Sequence, residues 1–191
     1  MESLIDEQEL NSIRDQLQED PFNQGLHQQV YDALSGQDEA RALIDFYRQL
    51  QRNNPDDWRH LVNLARAYSQ TGKDSLAVVQ LQKLLRSDPS LKEVWMDLAR
   101  CYQRLKKVEL ALRALNSAIE VDPGFAEAHV ERVRLLTSTD ELEEAAAAVV
   151  FSLECEQLKP AVAEWLEEVD AHLESGYRPP DELLQRQLNL A

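Results

Sequence analysis

The chain has 191 residues, and its 35 acidic and 20 basic side chains give a formal net charge of −15. This charge excludes a general affinity for nucleic acid, because phosphate binding requires a basic field, and it opposes adsorption to anionic lipid. Glycine and proline number only five and seven, and residues that favour helix dominate, so the composition predicts an all-α protein.

The first predicted element is an amphipathic helix over residues 3–19, within an N-terminal segment of residues 1–23. Leu10, Ile13 and Leu17 recur at helical spacing and define its apolar face. The segment is acidic and lacks the basic and apolar regions of a signal peptide. We therefore expect a cytoplasmic protein.

A repeat of 34 residues organises the chain after this helix. Pro55, Pro89 and Pro123 are 34 residues apart (89 − 55 and 123 − 89), and each follows a residue that can cap a helix. Other positions recur with the same period, and they pair Leu64 with Leu98, Ala65 with Ala99, Tyr68 with Tyr102, Ala77 with Ala111 and Leu81 with Leu115. Small residues let two helices approach closely, and large ones fill the space between stacked pairs.

Two clear repeats cover residues 58–91 and 92–125. The second contains Trp95, Leu98, Ala99, Tyr102, Ala111, Leu115, Ala118 and Pro123. With Ala for Gly and Leu for Phe, this resembles the pattern of the tetratricopeptide repeat family. The first repeat fits with Leu61 in place of the tryptophan. The resemblance implies a right-handed α-α superhelix, a solenoid of stacked helix pairs that binds other proteins.

Degenerate pairs flank the two clear repeats, as is usual at the ends of a solenoid. Residues 24–57 keep the period and end in Pro55, but their first residues fit the pattern poorly. Residues 126–159 lack the terminal proline and carry Leu136 at the tyrosine position.

The C-terminal part is predicted to cap the array. Residues 160–175 form a capping helix with Trp165 on its apolar face. Gly and Pro residues then break the chain, and a tail of residues 176–191 contains a short helix from Asp181 to Leu190. We expect the tail to cap its own chain, with docking on another copy as the alternative.

The sequence contains no catalytic, cofactor or metal-binding motif. The four histidines are far apart without metal-ligand spacing and are interpreted as packed or solvated; they are His27, His60, His129 and His172. Cys101 and Cys155 are interpreted as buried thiols. We therefore expect neither an enzyme nor a bound cofactor or metal.

The resemblance also implies which residues face a partner, because the first helix of each pair lines the concave groove in this family. Carried over by position, the partner-binding residues are Arg59, Val62, Arg66, Gln70, Met96, Arg100, Gln103, Arg104, Val130 and Arg134. Within this set, Val62, Met96 and Val130 form an apolar stripe, and Arg66, Arg100 and Arg134 form a row.

The arginine row supports two interpretations. Arginine binds carboxylates through two parallel hydrogen bonds, so the row would suit an acidic or C-terminal carboxylate segment of a partner. In the other interpretation each arginine pairs with an acid of the next repeat, as Arg66 with Asp97 or Arg100 with Glu131. The carboxylate clamp of chaperone-binding members is not matched, because acids occupy the positions of its lysines.

The leading hypothesis is an adaptor or scaffold that binds a peptide or helix of a partner protein in its groove. A structural module that oligomerises through its terminal helices is the alternative, and a dedicated secretion chaperone is a lesser one. The longest apolar run, residues 145–151, is too short to span a bilayer. We expect neither a nucleic-acid partner nor membrane insertion.

Overall fold

Helices form the regular secondary structure of the part of the chain that is described. The computed structural model describes residues 7–34 and 39–188. Within these ranges the helices are α1 (Glu7–Glu19), α2 (Gln24–Leu34), α3 (Glu39–Asn53), α4 (Trp58–Gln70), α5 (Asp74–Ser87), α6 (Lys92–Arg104), α7 (Val108–Val121), α8 (Ala126–Ser138), α9 (Leu142–Leu153), α10 (Pro160–Glu174) and α11 (Asp181–Leu184). The all-α prediction is confirmed. Residues 3–6 and 189–190 of the predicted terminal helices lie outside the described ranges.

The chain divides into two compact units. The N-terminal unit is Met1–Asp88 with α1 to α5, and the C-terminal unit is Pro89–Ala191 with α6 to α11. Within each unit every helix packs against the next one along the chain. Ala65 and Ala77 are buried between α4 and α5, and Ala99 and Ala111 between α6 and α7, as expected for small residues at close helix contacts.

The turn between the helices of a pair uses a left-handed residue. Gly72 follows α4 with a φ of 73°, a conformation that glycine adopts without steric cost. Lys106 and Asp140 occupy the equivalent places after α6 and α8, with φ of 58° and 63°. The three positions are 34 residues apart, so the backbone of the turn is conserved between repeats although the residue is not.

A ring N–H ties the first helix of three repeats to the proline turn before it. Trp95 Nε1 donates to the Pro89 carbonyl at 2.9 Å, and His129 Nε2 contacts the Pro123 carbonyl at 2.8 Å. His27 Nε2 contacts the carbonyl of Pro21, which is 34 residues before Pro55, at 3.0 Å. The degenerate repeats therefore keep the joint that the tryptophan makes, with histidine supplying the N–H.

The C-terminal unit has a core shared by its last four helices. The fully buried Trp165 of α10 lies at its centre, with Val130 of α8 and Val149 of α9. Leu183 and Leu184 of α11 belong to the same cluster. The last helix is therefore packed against its own unit.

Candidate functional site

Side chains from three helices line an open polar cleft of about 240 Å³ in the N-terminal unit. They are Gln24, His27, Gln28 and Tyr31 of α2, Tyr47 of α3, and Asn63, Arg66 and Gln70 of α4. Pockets that enclose a drug-sized ligand are larger, roughly 300–1,000 Å³. The cleft therefore has room for one or two residues of a peptide.

The Pro21 carbonyl fixes the orientation of two side chains that line the cleft. It accepts hydrogen bonds from Asn63 Nδ2 at 2.5 Å and from His27 Nε2 at 3.0 Å. Because a carbonyl can only accept, Nε2 carries the proton of a neutral His27, and Nδ1 accepts from the Tyr47 hydroxyl at 2.7 Å. Burial lowers the pKa of His27, and the charge of Arg66 adds to this effect. The ring is therefore neutral at neutral pH.

Tyr31, Tyr47 and the amide of Gln70 also line the cleft. The Tyr31 hydroxyl donates to Gln70 Oε1, and burial raises the pKa of both Tyr31 and Tyr47. The hydroxyls therefore stay protonated. Neutral hydroxyls and amides both donate and accept, which suits them to the N–H and C=O groups of a peptide backbone.

Arg66 brings a positive charge to the cleft. Its guanidinium lies 5.4 Å from the ring centroid of Phe22, within the range of a cation–π contact. Phe22 in turn packs against Trp58 with ring centroids 5.9 Å apart. The aromatic pair holds the arginine in place beside the polar lining.

Arg59, another predicted residue of the N-terminal unit, is not part of the cleft lining. Arg59 binds both carboxylate oxygens of Asp57, with Nη2 2.7 Å from Oδ2, and this hydrogen bonding lowers the pKa of Asp57. Asp57 also caps α4 by accepting from the backbone N–H of Arg59. Gln70 lies in the cleft.

In the C-terminal unit the arginines of the predicted row contact acids. Arg100 Nη2 lies 2.5 Å from Glu127 Oε1 on α8, and Arg100 Nη1 lies 3.5 Å from Asp97. Arg134 pairs with Glu131 at 3.2 Å. Pairing with an acid of the next repeat is thus seen at Arg100, with Glu127 in place of the expected Glu131.

The predicted apolar stripe does not lie on the surface. Val62 and Met96 are 1% exposed and Val130 is 0% exposed. All three face the helix core, so the expectation of a groove-lining stripe is corrected. Gln103 is half-buried, and Arg104 is exposed with Nη2 3.6 Å from the Cys101 sulfur.

The tail segment (residues 177–188) docks on its own unit. Trp165 Nε1 donates to the Leu183 carbonyl at 2.8 Å, and Arg134 donates to two further carbonyls of the segment. Its helix ends at Leu184, short of the predicted Leu190. The side chains that bind these carbonyls take the place of further helical hydrogen bonds.

Other features expected of a chemical site are absent from the described ranges. No group of three or more His, Cys, Asp or Glu residues there is arranged to hold a metal. No helix in the same ranges combines the length and apolar character needed to cross a membrane. Neither cysteine forms a disulfide, and Cys155 is half-buried, where the sequence predicted a buried thiol.

The cleft residues on α2 and α3 were not predicted from the sequence, where Arg59 was the first groove position. The available signal was the period itself. Pro21 precedes Pro55 by 34 residues, and His27 precedes Leu61 by the same number. Residues 24–57 already formed a degenerate repeat, so carrying the groove positions one repeat backwards makes α2 a groove helix.

The sequence matches the model of the ChAPs (Chs5p-Arf1p-binding proteins) over residues 7–168. The chain belongs to the ChAPs family. No curated protein matches this ChAPs-family chain significantly.

Solved structures share the fold of this ChAPs-family chain. It is 18% identical to MamA, with 93% of this chain and 87% of MamA covered at a TM-score of 0.58. A thermophilic tetratricopeptide protein of Thermus thermophilus, TTC0263, is 21% identical, with 83% and 82% covered at 0.57. One from Parabacteroides merdae is 17% identical, with 88% and 61% covered at 0.60.

At these identities the likeness shows the fold alone. The chain has the helical solenoid fold of tetratricopeptide repeat proteins, a fold that is typically non-catalytic. In general terms it is a protein-interaction adaptor.

Proposed function

We propose that the chain is a cytoplasmic adaptor that holds a peptide segment of a partner protein in the cleft of the N-terminal unit. Arg66 binds a carboxylate of that segment, and the amide and hydroxyl groups of the cleft bind its backbone. The observation that carries the proposal is the open polar cleft with the Arg66 guanidinium held against Phe22. The tetratricopeptide fold supports a binding role without catalysis.

The charge of the whole chain limits the kind of segment. A net charge of −15 repels a strongly acidic peptide at long range, although salt screens charges beyond about 8 Å at physiological ionic strength. Arg66 acts at contact distance, where one carboxylate gains two hydrogen bonds. The segment therefore has a single acidic side chain or a C-terminal carboxylate among neutral residues.

The family name suggests where to look for the segment. Members are described as binding Chs5p and Arf1p, so these two proteins are the first candidates. Both can be presented as tiled peptides, which separates recognition of a linear segment from recognition of a folded surface.

The test measures binding of the full chain to peptide arrays tiled over Chs5p and Arf1p. We expect Arg66→Met to lower the affinity for carboxylate-bearing peptides about tenfold or more. A hydrogen bond to a charged group contributes roughly 1.5–3 kcal/mol to binding. Arg113→Met, at an exposed arginine of α7, is the matched control and should change nothing. Equal binding by folded wild type and Arg66→Met would place the peptide site elsewhere.

A further inference from the structure

Three side-chain donors of the C-terminal unit hold the backbone of the tail segment. Trp165 Nε1 donates to the Leu183 carbonyl, Arg134 Nε to the Leu184 carbonyl at 2.6 Å, and Arg134 Nη2 to the Arg186 carbonyl at 2.7 Å. The last carbonyls of a helix have no partner inside it, and these donors bind two of them, at Leu183 and Leu184, and the Arg186 carbonyl beyond the helix. The Leu183 carbonyl also accepts from the Arg186 backbone N–H at 3.3 Å. Backbone carbonyls are common to every sequence, so the same donors can hold another short helix.

Three side chains of the tail segment add specificity. Leu183 and Leu184 are buried in the core cluster. Arg186 binds both carboxylate oxygens of Glu168 at 2.7 Å, and this pairing lowers the pKa of Glu168. The surface therefore selects two adjacent leucines followed, two residues later, by a basic side chain.

On its own, without the contacts to its unit, the tail segment would form little regular structure. Its helix has four residues, far below the roughly 12–15 that an isolated helix needs for marginal stability. A turn at Gly176, with a φ of 75°, separates it from α10. The covalent connection to α10 favours docking of the tail segment, because a short tether acts like a local concentration on the order of millimolar.

We propose that Arg134, Trp165 and Glu168 form a second docking site, which takes a short helix of another protein bearing two adjacent leucines and then, two residues on, Arg or Lys. The tail segment occupies this site as an internal ligand that the partner helix displaces. A longer partner helix has the advantage of being better formed before it binds. The site uses other helices than the N-terminal cleft, so each proposal can fail alone.

The test uses the full chain and a labelled peptide with the sequence of residues 177–188, whose binding is followed by fluorescence anisotropy. Leu183→Ser with Leu184→Ser opens the site by removing the anchors of the internal ligand. We expect this variant to bind the peptide about tenfold or more tightly than wild type, because the tethered competitor is weakened.

Two further changes establish where the peptide binds. Arg134→Met, added to the open variant, should abolish the gain, whereas Arg66→Met at the same repeat position in the N-terminal unit should leave it intact. A peptide with serine at both leucine positions should not bind. Because the open variant uncovers apolar surface, Arg186→Glu provides a second, milder opening through repulsion from Glu168.

Three outcomes would overturn the proposal. Folded open variants that bind the peptide no better than wild type would make the tail segment only a cap. Loss of cooperative unfolding, followed by circular dichroism, in both open variants would make it an integral part of the core. A wild-type dimer that disappears in the open variants, measured by light scattering, would assign the site to a second copy of this chain.

Discussion

Arg66 and Arg134 occupy the same position of the repeat, two periods apart, and lie next to different parts of the chain. Arg66 lies beside an open cleft, over the ring of Phe22. Arg134 contacts Glu131 and two carbonyls of the tail segment. The repeat sets where an arginine stands on its helix, whereas the segments outside the repeat decide what it contacts.

The two units also share a histidine arrangement that allows matched substitutions in each. Each contains a histidine that joins a proline carbonyl to a hydroxyl: the half-buried His27 with Tyr47, and the buried His129 with Ser152. The N-terminal unit also contains His60, which is 1% exposed and makes no such joint. Substitutions at matched positions can therefore separate what the repeat contributes from what is particular to one unit.

The largest expected effect is that of Trp165→Ala. The side chain is fully buried and donates to the Leu183 carbonyl, and truncation of a buried Trp costs about 3–5 kcal/mol of unfolding free energy. Urea denaturation followed by circular dichroism measures the loss, and limited proteolysis should then cut the tail segment. Trp58→Ala, at a half-buried site of the N-terminal unit, should cost less and leave the tail protected. Equal protection of the tail in both variants would show that Trp165 does not hold it.

Acidification is expected to weaken both units. Burial lowers the pKa of His27, His60 and His129 below the ordinary value of 6.5. Below that pH the unfolded chain binds protons that the folded chain refuses, so the unfolding free energy falls as the pH drops from about 6.5. Carboxylates with a lowered pKa, such as Asp57 and Glu168, lose their stabilising effect only below their ordinary values of 3.8 and 4.5. The loss of stability between pH 6.5 and pH 5 is therefore assigned to the histidines.

Denaturation midpoints in urea at pH 7 and pH 5 measure the effect. The variant His27→Gln with His129→Gln, one change in each unit, should show a smaller pH dependence than wild type. An unchanged midpoint between the two pH values would mean that the folded and unfolded histidines titrate alike.

His60→Leu is expected to stabilise the N-terminal unit. Neither ring nitrogen of His60 has a hydrogen-bond partner among the residues that the structure describes. A buried polar group without a partner costs about 1–3 kcal/mol, so an apolar side chain of similar size should raise the unfolding free energy by about 1 kcal/mol. His27→Leu, which breaks two hydrogen bonds, should have the opposite sign. Thermal unfolding distinguishes them, and a destabilising His60→Leu would reveal a partner for that ring.

The smallest effect concerns the turn after the first helix of a pair. Lys106 has the left-handed conformation that Gly72 adopts in the other unit, at a cost of roughly 1–2 kcal/mol for a residue with a Cβ. Lys106→Gly should therefore stabilise by about 1 kcal/mol or less, because glycine also gains entropy in the unfolded chain. Gly72→Lys should destabilise by a similar amount. Chemical denaturation of both variants checks the pair, and a neutral Gly72→Lys would contradict the cost assigned to that position.

The fold was predictable from the sequence because the period is written in repeated residues. Pro55, Pro89 and Pro123 mark the turns, and Trp95 carries the family pattern. The groove residues were predicted less well, since a position carried over from the family does not say what lies beside it. Val62 is an example, because its side chain is buried in the core although a surface position was predicted.

The cleft and the tail contacts depend on packing that no local pattern encodes. Tyr31 meets Gln70 across 39 residues, and Arg134 meets the Leu184 carbonyl across 50. Such contacts follow from how helices pack in three dimensions. The part of the cleft that could have been predicted is α2, by carrying the groove positions back into the degenerate repeat of residues 24–57.

The exchange of tryptophan for histidine at the proline joint has a consequence for how such chains evolve. Indole has one N–H and joins two elements, whereas imidazole has a second nitrogen that reaches a hydroxyl on the other helix of the pair, as His129 reaches Ser152. A repeat with histidine in place of the tryptophan gains a hydrogen bond between the two helices of its pair. Further changes in its sequence are then less able to separate those helices. A search that rewards only the clear family pattern will count two repeats, whereas the described residues form four helix pairs, α2–α3, α4–α5, α6–α7 and α8–α9.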